Sequence, residues 1–447
     1  MKRANLYILL LAGASLFPSC KKFLDEKPDK QLLIPTTPEE YQTLMDANFE
    51  MNLATAMSGI MSSDDYYQTT ADFNGLSLFN RNLYTWADNS MSEEQGGNDW
   101  STSYSQIYNA NIVIEGIEGI ARTASNKDKW DNVKGTALFF RGRVFLEAAL
   151  IWAKAYEPAT AETDPGVPLT RTTNFNIKTT RPNVKETYDQ ILKDLKASLP
   201  LLPRLAAHVM RPSKAAAYAY LSRTYLAMRD YPTAGKYADS ALQINNKLVD
   251  YATLDSFYPW PMEGYNSPEM IMFFQTDVSL TFRIAKEFFD AYSDDDYRKD
   301  LFFEELRNGT VGFRGSYTGD YSYFTGVATD ELYLTRAECY ARVDNATAAM
   351  KDLNTLLKKR IYGFTDLTVA DSKAALKMIL EERRKELILR GTRWMDLKRL
   401  NKEPEFRITL KRDVAGKVYE LLPDHPKYAL PIPNRIVELA GIPQNIR

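Results

Sequence analysis

The densest group of reactive side chains is Glu381-Glu382-Arg383-Arg384-Lys385-Glu386, which runs on to Arg390-Gly391-Thr392-Arg393-Trp394-Met395-Asp396-Leu397. Two carboxylates in such a group could act as general acid and base, the pairing a hydrolase uses. Helical spacing argues for a different use. Leu376, Leu380, Arg383 and Leu387 share one face of a helix, so Arg383 is carried into an apolar interface, where a guanidinium must meet a carboxylate. The reading adopted is a structural ion-pair network of Glu382, Arg383, Glu386, Arg393 and Asp396. Glu381 with Lys385, and Glu386 with Arg390, are then i,i+4 pairs on the outer face. A surface hydrolase using Glu381 and Glu386, or the cluster Asp294, Asp295 and Asp296, is the competing reading. Those aspartates, with Asp64 and Asp65, could also offer oxygens to calcium. They lack the ligand spacing, the placed glycine and the closing glutamate of a calcium loop, so they read as solvated turns and no metal site is assigned. Gly309, Gly312 and Gly315 have no Gly-Lys-Ser/Thr ending and read as a flexible loop. His208 and His425 sit beside proline-containing turns, and no nucleophile elbow is present. No catalytic residue and no cofactor is expected.

A second kind of chemistry is binding. Arg81, Trp86 and Asn89 lie in one loop-rich region, and Tyr258, Trp260 and Tyr265 in another. Tyr317, Tyr321 and Tyr323 form a third group in a Gly-rich stretch. Flat apolar rings beside amide, hydroxyl and guanidinium groups suit sugars, whose C–H faces stack while their hydroxyls hydrogen-bond. The same surface would suit a peptide. The competing view is that each ring only pins its loop to the scaffold. Trp100 and Trp394 flank helical segments and read as core.

The elements that must position these residues are helical. Apolar periodicity predicts helices over 102–122, 132–156, 184–199, 213–229, 232–244, 331–342, 346–360 and 372–389. Long loops cover 59–100 and 245–330, broken by a short apolar strand or helix over 270–274. The chain beyond Leu400 reads as irregular. Tyr218, Leu221, Ser222 and Tyr225, followed by Ala234, Ala238 and Ala241, recur in spacing as Tyr333, Arg336, Ala337 and Tyr340, followed by Ala349, Leu353 and Leu356. This is tetratricopeptide spacing, in which small residues let paired helices approach. Leu138, Arg141, Gly142 and Phe145 fit the first helix of a third unit, with Tyr188, Leu192 and Leu195 on its second. The fold class is therefore all-α, helix pairs with large loop insertions. Such a scaffold binds; it does not itself specify a reaction.

Composition narrows the function further. The 447 residues carry 56 basic and 58 acidic side chains, a net charge of −2, which argues against nucleic acid as the partner. Two cysteines make no disulfide framework. At the N-terminus, Lys2-Arg3 precede the apolar run Leu6 to Phe17 and then Pro18-Ser19-Cys20. The run is too short to span a bilayer and has the form of a secretion signal, with Cys20 placed as the lipidated cysteine of a bacterial lipoprotein. Cys339 then has no partner and reads as a small buried hydrophobe.

Taken together, several segments resemble the SusD/RagB family. They are Ile107-Tyr-Asn-Ala-Asn-Ile-Val113 with Asn111, Arg141 before Pro165-Gly-Val-Pro-Leu169, and Arg181-Pro with Leu202-Pro203. Arg211-Pro-Ser-Lys through Leu221, the run Ile379 to Leu387 with Gly391 to Leu397, and Tyr428-Ala-Leu-Pro-Ile-Pro433 complete the set. The resemblance covers nearly the whole chain after Cys20. It implies a signal peptide over 1–19, a lipidated tether over 20–38 and one SusD-like α-helical domain over 39–447. It also implies an outer-membrane, cell-surface lipoprotein, without enzymatic activity, that delivers glycans, or in some members peptides, to a SusC-type TonB-dependent transporter. In the family pattern Glu usually stands where this chain has Arg390, so the ion pairs there must be rearranged. Arg81, Trp86 and Asn89 are the nearest counterparts of the loop aromatic, Arg and Asn of the starch-binding member.

Overall fold

Helix starts are written into the sequence as capping residues. In the computed structural model, which describes residues 35–88, 98–276 and 282–447, helix α1 (Pro38–Met45) opens on a capping box of Thr37 and Glu40. Asn98 caps α2 (Asp99–Ile117), which leads into α3 (Lys127–Trp152). Asn183 and Glu186 form a second capping box on α4 (Val184–Ser198), and Ser213 caps α5 (Lys214–Ala227). Asp230 caps α6 (Tyr231–Leu242). The later helices of eight or more residues among the described residues are α7 (Thr329–Arg342), α8 (Ala346–Leu357), α9 (Ser372–Glu386) and α10 (Arg393–Leu400). Neighbours in the chain pack side by side from α2 through to α8, and α9 returns onto α7. Every helix expected from periodicity is present, with ends displaced by a few residues.

The small-residue spacing explains how closely these helices approach. Ala234, Ala238 and Ala241 on α6 are fully buried, and the Ser222 hydroxyl of α5 donates to Ala234 O at 2.9 Å. Ala337 on α7 with Ala349, Leu353 and Leu356 on α8 repeats that contact in a second apolar cluster. In the third unit Gly142 of α3 faces Asp194 and Leu195 of α4, where an added Cβ would stand 3.0 Å from Leu195 Cγ. Every residue of α3 from Gly135 to Leu146 is buried, as expected of a helix enclosed on all sides. Its C-terminal carbonyls are satisfied by a buried lysine: Lys398 Nζ donates to Leu150 O and Ala153 O, each at 2.6 Å.

Three of the familiar motif residues are structural ties. Arg141 holds Asp194 with two bonds of 2.7 Å and donates to Asn111 Oδ1 at 2.9 Å, while Asn111 donates to Thr170 O. Arg181 donates to Gly166 O and Pro443 O, joining distant parts of the chain.

The stretches read as loops hold regular structure. Short helices Ser58–Ser62, Thr70–Gly75 and Leu78–Tyr84 occupy much of 59–100. The described residues of 245–330 hold seven short strands: β1 (Met270–Met272), β2 (Gln275–Thr276), β3 (Arg283–Ile284), β4 (Phe303–Glu305), β5 (Val311–Phe313), β6 (Tyr323–Phe324) and β7 (Val327–Ala328). They pair antiparallel as β1-β7, β2-β6 and β3-β5-β4. The Gly309 to Gly315 stretch is therefore not a free loop, since it contains β5, the centre strand of a sheet. Beyond Leu400 the expectation of irregular chain is also corrected. Strands β8 (Leu410–Val414) and β9 (Lys417–Leu421) form a hairpin in register Leu410↔Leu421, turned by Ala415 and Gly416 at φ 53° and 72°. Alternating apolar residues around a two-residue turn ending in Gly were the available signal. No helix among the described residues is long and apolar enough to cross a membrane. The segments expected as signal peptide and tether, with Cys20, lie outside the described residues but for the last few positions of the tether.

Candidate ligand-binding face

The loop between α6 and β1 carries the exposed rings. Phe257 is 95% and Tyr258 60% exposed, and Trp260 and Tyr265 are also open to solvent. Tyr321, on the loop between β5 and β6, is 70% exposed. The two loops are locked together where both lack a Cβ. Gly264 (φ 59°) sits against Thr318 O, and Gly319 (φ 74°) against Met262 O and Gly264 N, so a side chain at either position would force them apart. Arg314 pins the same loop, donating to Ser256 O at 2.5 Å and to Asp300 O at 2.6 Å. Beneath the face, Tyr265 packs on Phe273 at 4.4 Å between centroids and lies 5.6 Å from His208. Tyr258, Trp260 and Tyr265 are thus solvent-exposed rings on a loop tied to the body, and Phe257 and Tyr321 are exposed on the same two interlocked loops. Phe257 was missed because sequence alone does not separate exposed from anchoring rings.

The other expected trio is not assembled. Trp86 is 1% exposed, donates its indole N–H to Ser62 O at 3.0 Å, and is covered by the Arg412 guanidinium 4.8 Å from its ring. It cannot offer a face to a ligand, and its assignment to the site is corrected to core. Arg81 is half-buried on the helix Leu78–Tyr84, and Asn89 lies outside the described residues. Tyr317 and Tyr323 are also buried; the Tyr317 hydroxyl lies 2.7 Å from Glu269 Oε2 and 3.0 Å from Asp330 Oδ2. Trp100 and Trp394 are core, Trp100 stacked on Tyr104 at 4.6 Å and edge-on to Trp152 at 4.9 Å.

The charged segment forms three chains of ion pairs rather than one network, two of them buried and the third half-buried. In the first, Arg298 holds Asp296, Glu382 and Glu386, and Glu386 passes on to Arg360, which holds Glu269. In the second, Arg383 and Arg399 share Asp396, and Arg399 and Arg342 share Glu338. In the third, Arg393 and Arg384 share Asp64. The proposed outer-face pairs are corrected: Glu386 is fully buried, Arg390 is buried against Asp330, and Lys385 pairs with Glu382 instead of Glu381. Burial opposes ionisation throughout, and the guanidiniums decide the outcome. Asp396, against burial, is held at about 2 by Arg383 and Arg399. Glu269 is pushed up to about 7 by burial, with Arg360 opposing. Asp65 is pushed up to about 6 by burial and by the adjacent Asp64. Glu381 is exposed while Glu386 is buried between Arg298 and Arg360, and Asp296 is engaged by Arg298 while Asp294 pairs with Lys299. Cys339 is buried, its thiol pushed up to about 12 by burial.

A helix-pair scaffold with tetratricopeptide-like spacing and loop insertions is the class that this architecture defines. Residues 22–226 match a SusD-like family described as starch-binding and associating with the outer membrane, and residues 329–437 match the SusD family. The chain belongs to the SusD/RagB family. SusD-like protein P38 of Formosa agariphila is 20% identical, over 97% of this chain and 99% of that protein. A SusD superfamily protein from Bacteroides thetaiotaomicron superposes with a TM-score of 0.76 at 20% identity, over 92% of this chain and 100% of that one. Surface glycan-binding protein A from Bacteroides uniformis gives 0.68 at 14% identity, over 92% and 99%.

Proposed function

We propose that this protein is a cell-surface lipoprotein that captures oligosaccharides and delivers them to a SusC-type TonB-dependent transporter in the outer membrane, without catalytic activity of its own. The observation that carries this reading is the set of exposed rings, Phe257, Tyr258, Trp260, Tyr265 and Tyr321, on two interlocked loops. Several exposed rings grouped on interlocked loops are a mark of an interaction site, and their flat faces match the C–H faces of sugars. Family membership and the naming of a fold relative as a surface glycan-binding protein support the same direction. Acylation of Cys20 would hold the chain at the membrane through more than one acyl chain.

Calorimetric titration of the chain from Lys21 onward against oligosaccharide and peptide panels tests the reading. Binding of one glycan class, lost in Trp260→Ala and Tyr258→Ala, is the expected result. Binding to peptides alone moves the protein to peptide capture. Silence in both panels overturns the proposal.

A further inference from the structure

Away from the aromatic face, a cavity of about 60 Å³ lies inside the body where α3, α5 and the start of α10 meet. Three guanidiniums line it, those of Arg143, Arg223 and Arg390, together with the Glu147 carboxylate and Trp394. Arg223 is fully occupied at Nε and Nη2 by Glu331 and Gly326 O. Arg390 gives only Nη1 to Asp330; its buried Nε and Nη2 have no partner. It cannot swing away to find one, being stacked 4.4 Å from the Tyr317 ring centroid and 4.9 Å from that of Phe324. Arg143 donates Nη2 to Gln106 and lies over Phe274, leaving Nε unpartnered, and the buried Trp394 Nε1 is unpartnered too. On the acceptor side, Glu147 takes the Ala56 N–H on Oε1 and leaves Oε2 without a hydrogen bond, 3.4 Å from Arg143 Nη1.

The remaining wall is the first turn of α10. Gly391, Thr392, Trp394 and Met395 line the cavity, and Thr392 gives the helix no side-chain cap. An uncapped helix N-terminus favours negative charge. Unpartnered donors therefore outnumber unpartnered acceptors. The charges of Arg143, Arg223 and Arg390 are matched by Glu331, Asp330 and Glu147 only while Glu147 is ionised, and burial works against that. Water alone would have to accept from nearly every wall. A molecule rich in acceptors and carrying one negative charge fits better.

We infer that this cavity is a binding site for a small monoanion of carboxylate type, the size of formate, held by the free edge of Arg390, by Trp394 Nε1 and by the first turn of α10. The site is separate from glycan capture, and its test does not depend on that reading. Thermal unfolding of the chain from Lys21 onward, dialysed free of small anions, is followed against sodium formate, with sodium gluconate of equal ionic strength as the control too bulky to enter. Formate should raise the midpoint saturably and gluconate should not. Trp394→Phe removes one donor to a charged acceptor and should weaken formate by about tenfold, while Glu147→Gln, which removes the competing negative charge, should tighten it. Crystals soaked in bromide should show an anomalous peak beside Arg390. No saturable shift in the unsubstituted chain, with only water beside Arg390, overturns the assignment. A saturable shift that Trp394→Phe leaves unchanged also overturns it, since the anion then binds elsewhere.

Discussion

Replacing Glu386 by Gln tests what the charged segment is for. Glu386 is fully buried and stands between two guanidiniums, with Arg360 Nε 2.6 Å from Oε1 and Arg298 Nη1 3.0 Å from Oε2. Glutamine keeps one acceptor and turns the other into an N–H₂ group facing a guanidinium, so one ion pair becomes a donor against a donor. Breaking one partner out of a buried pair costs about 3–5 kcal/mol. The lower end applies here, because Arg360 keeps Glu269 at 2.8 Å and Arg298 keeps Asp296 and Glu382. The expected loss is about 3 kcal/mol, read as a lower urea midpoint at unchanged slope. Glu382→Gln should cost less, since Glu382 lies nearer the surface and its Arg298 partner stays held by Asp296 and Glu386. A loss under about 1 kcal/mol for Glu386→Gln would refute the structural role. Intact stability with loss of a glycan-cleaving activity would instead restore the hydrolase reading.

Trp86→Ala removes a core indole and should lower stability by about 3–5 kcal/mol, whereas Trp260→Ala should leave the urea midpoint nearly unchanged and abolish glycan binding; paired denaturation and titration of both variants checks this. Asp65 has its native carboxyl raised to about 6, so its ionisation destabilises the fold as pH rises from the unfolded value near 4 up to 6. Asp65→Asn should therefore gain stability relative to the parent chain across that window and hold a constant advantage above it, measured by urea titration at successive pH values. Gly116→Ala would drive a methyl into the buried Tyr41 ring; the helix-propensity gain of about 1 kcal/mol should be exceeded by overpacking, for a net loss of about 1–2 kcal/mol in the same assay.

The helices were legible because their signals are local. Caps such as Asn183 and Ser213, and small residues such as Ala234, Ala238 and Ala241, act within one turn or against the next helix in the chain. The small sheets were not, because pairs such as β1 with β7 join residues far apart in sequence through very short strands. Trp86 and Trp260 show the same limit at the site. Both are tryptophans in polar, loop-rich stretches, and only the tertiary cover decides between them. Arg412, from the β8-β9 hairpin that sequence reading left irregular, lies over the Trp86 ring. Trp260, by contrast, keeps 37% of its surface open to solvent.

Arg390 stands where the resemblance read from the sequence leads one to expect Glu, and the surrounding fold is built for the guanidinium. A carboxylate at that position would face Asp330 and stand near Glu331, both fully or nearly fully buried. The guanidinium meets Asp330 instead, and stacking on Tyr317 and Phe324 fixes its plane. Because that plane is fixed, one edge of Arg390 answers the carboxylate while the other is left facing the cavity beside α10. The charge that repairs the ion-pair pattern on one side therefore creates an electropositive wall on the other. Two idle donors on one buried guanidinium cost free energy that an acceptor in the cavity would recover. The guanidinium that answers Asp330 on one edge thus favours an acceptor in the cavity on the other, which makes the ion pair and the inferred anion site one feature of this chain.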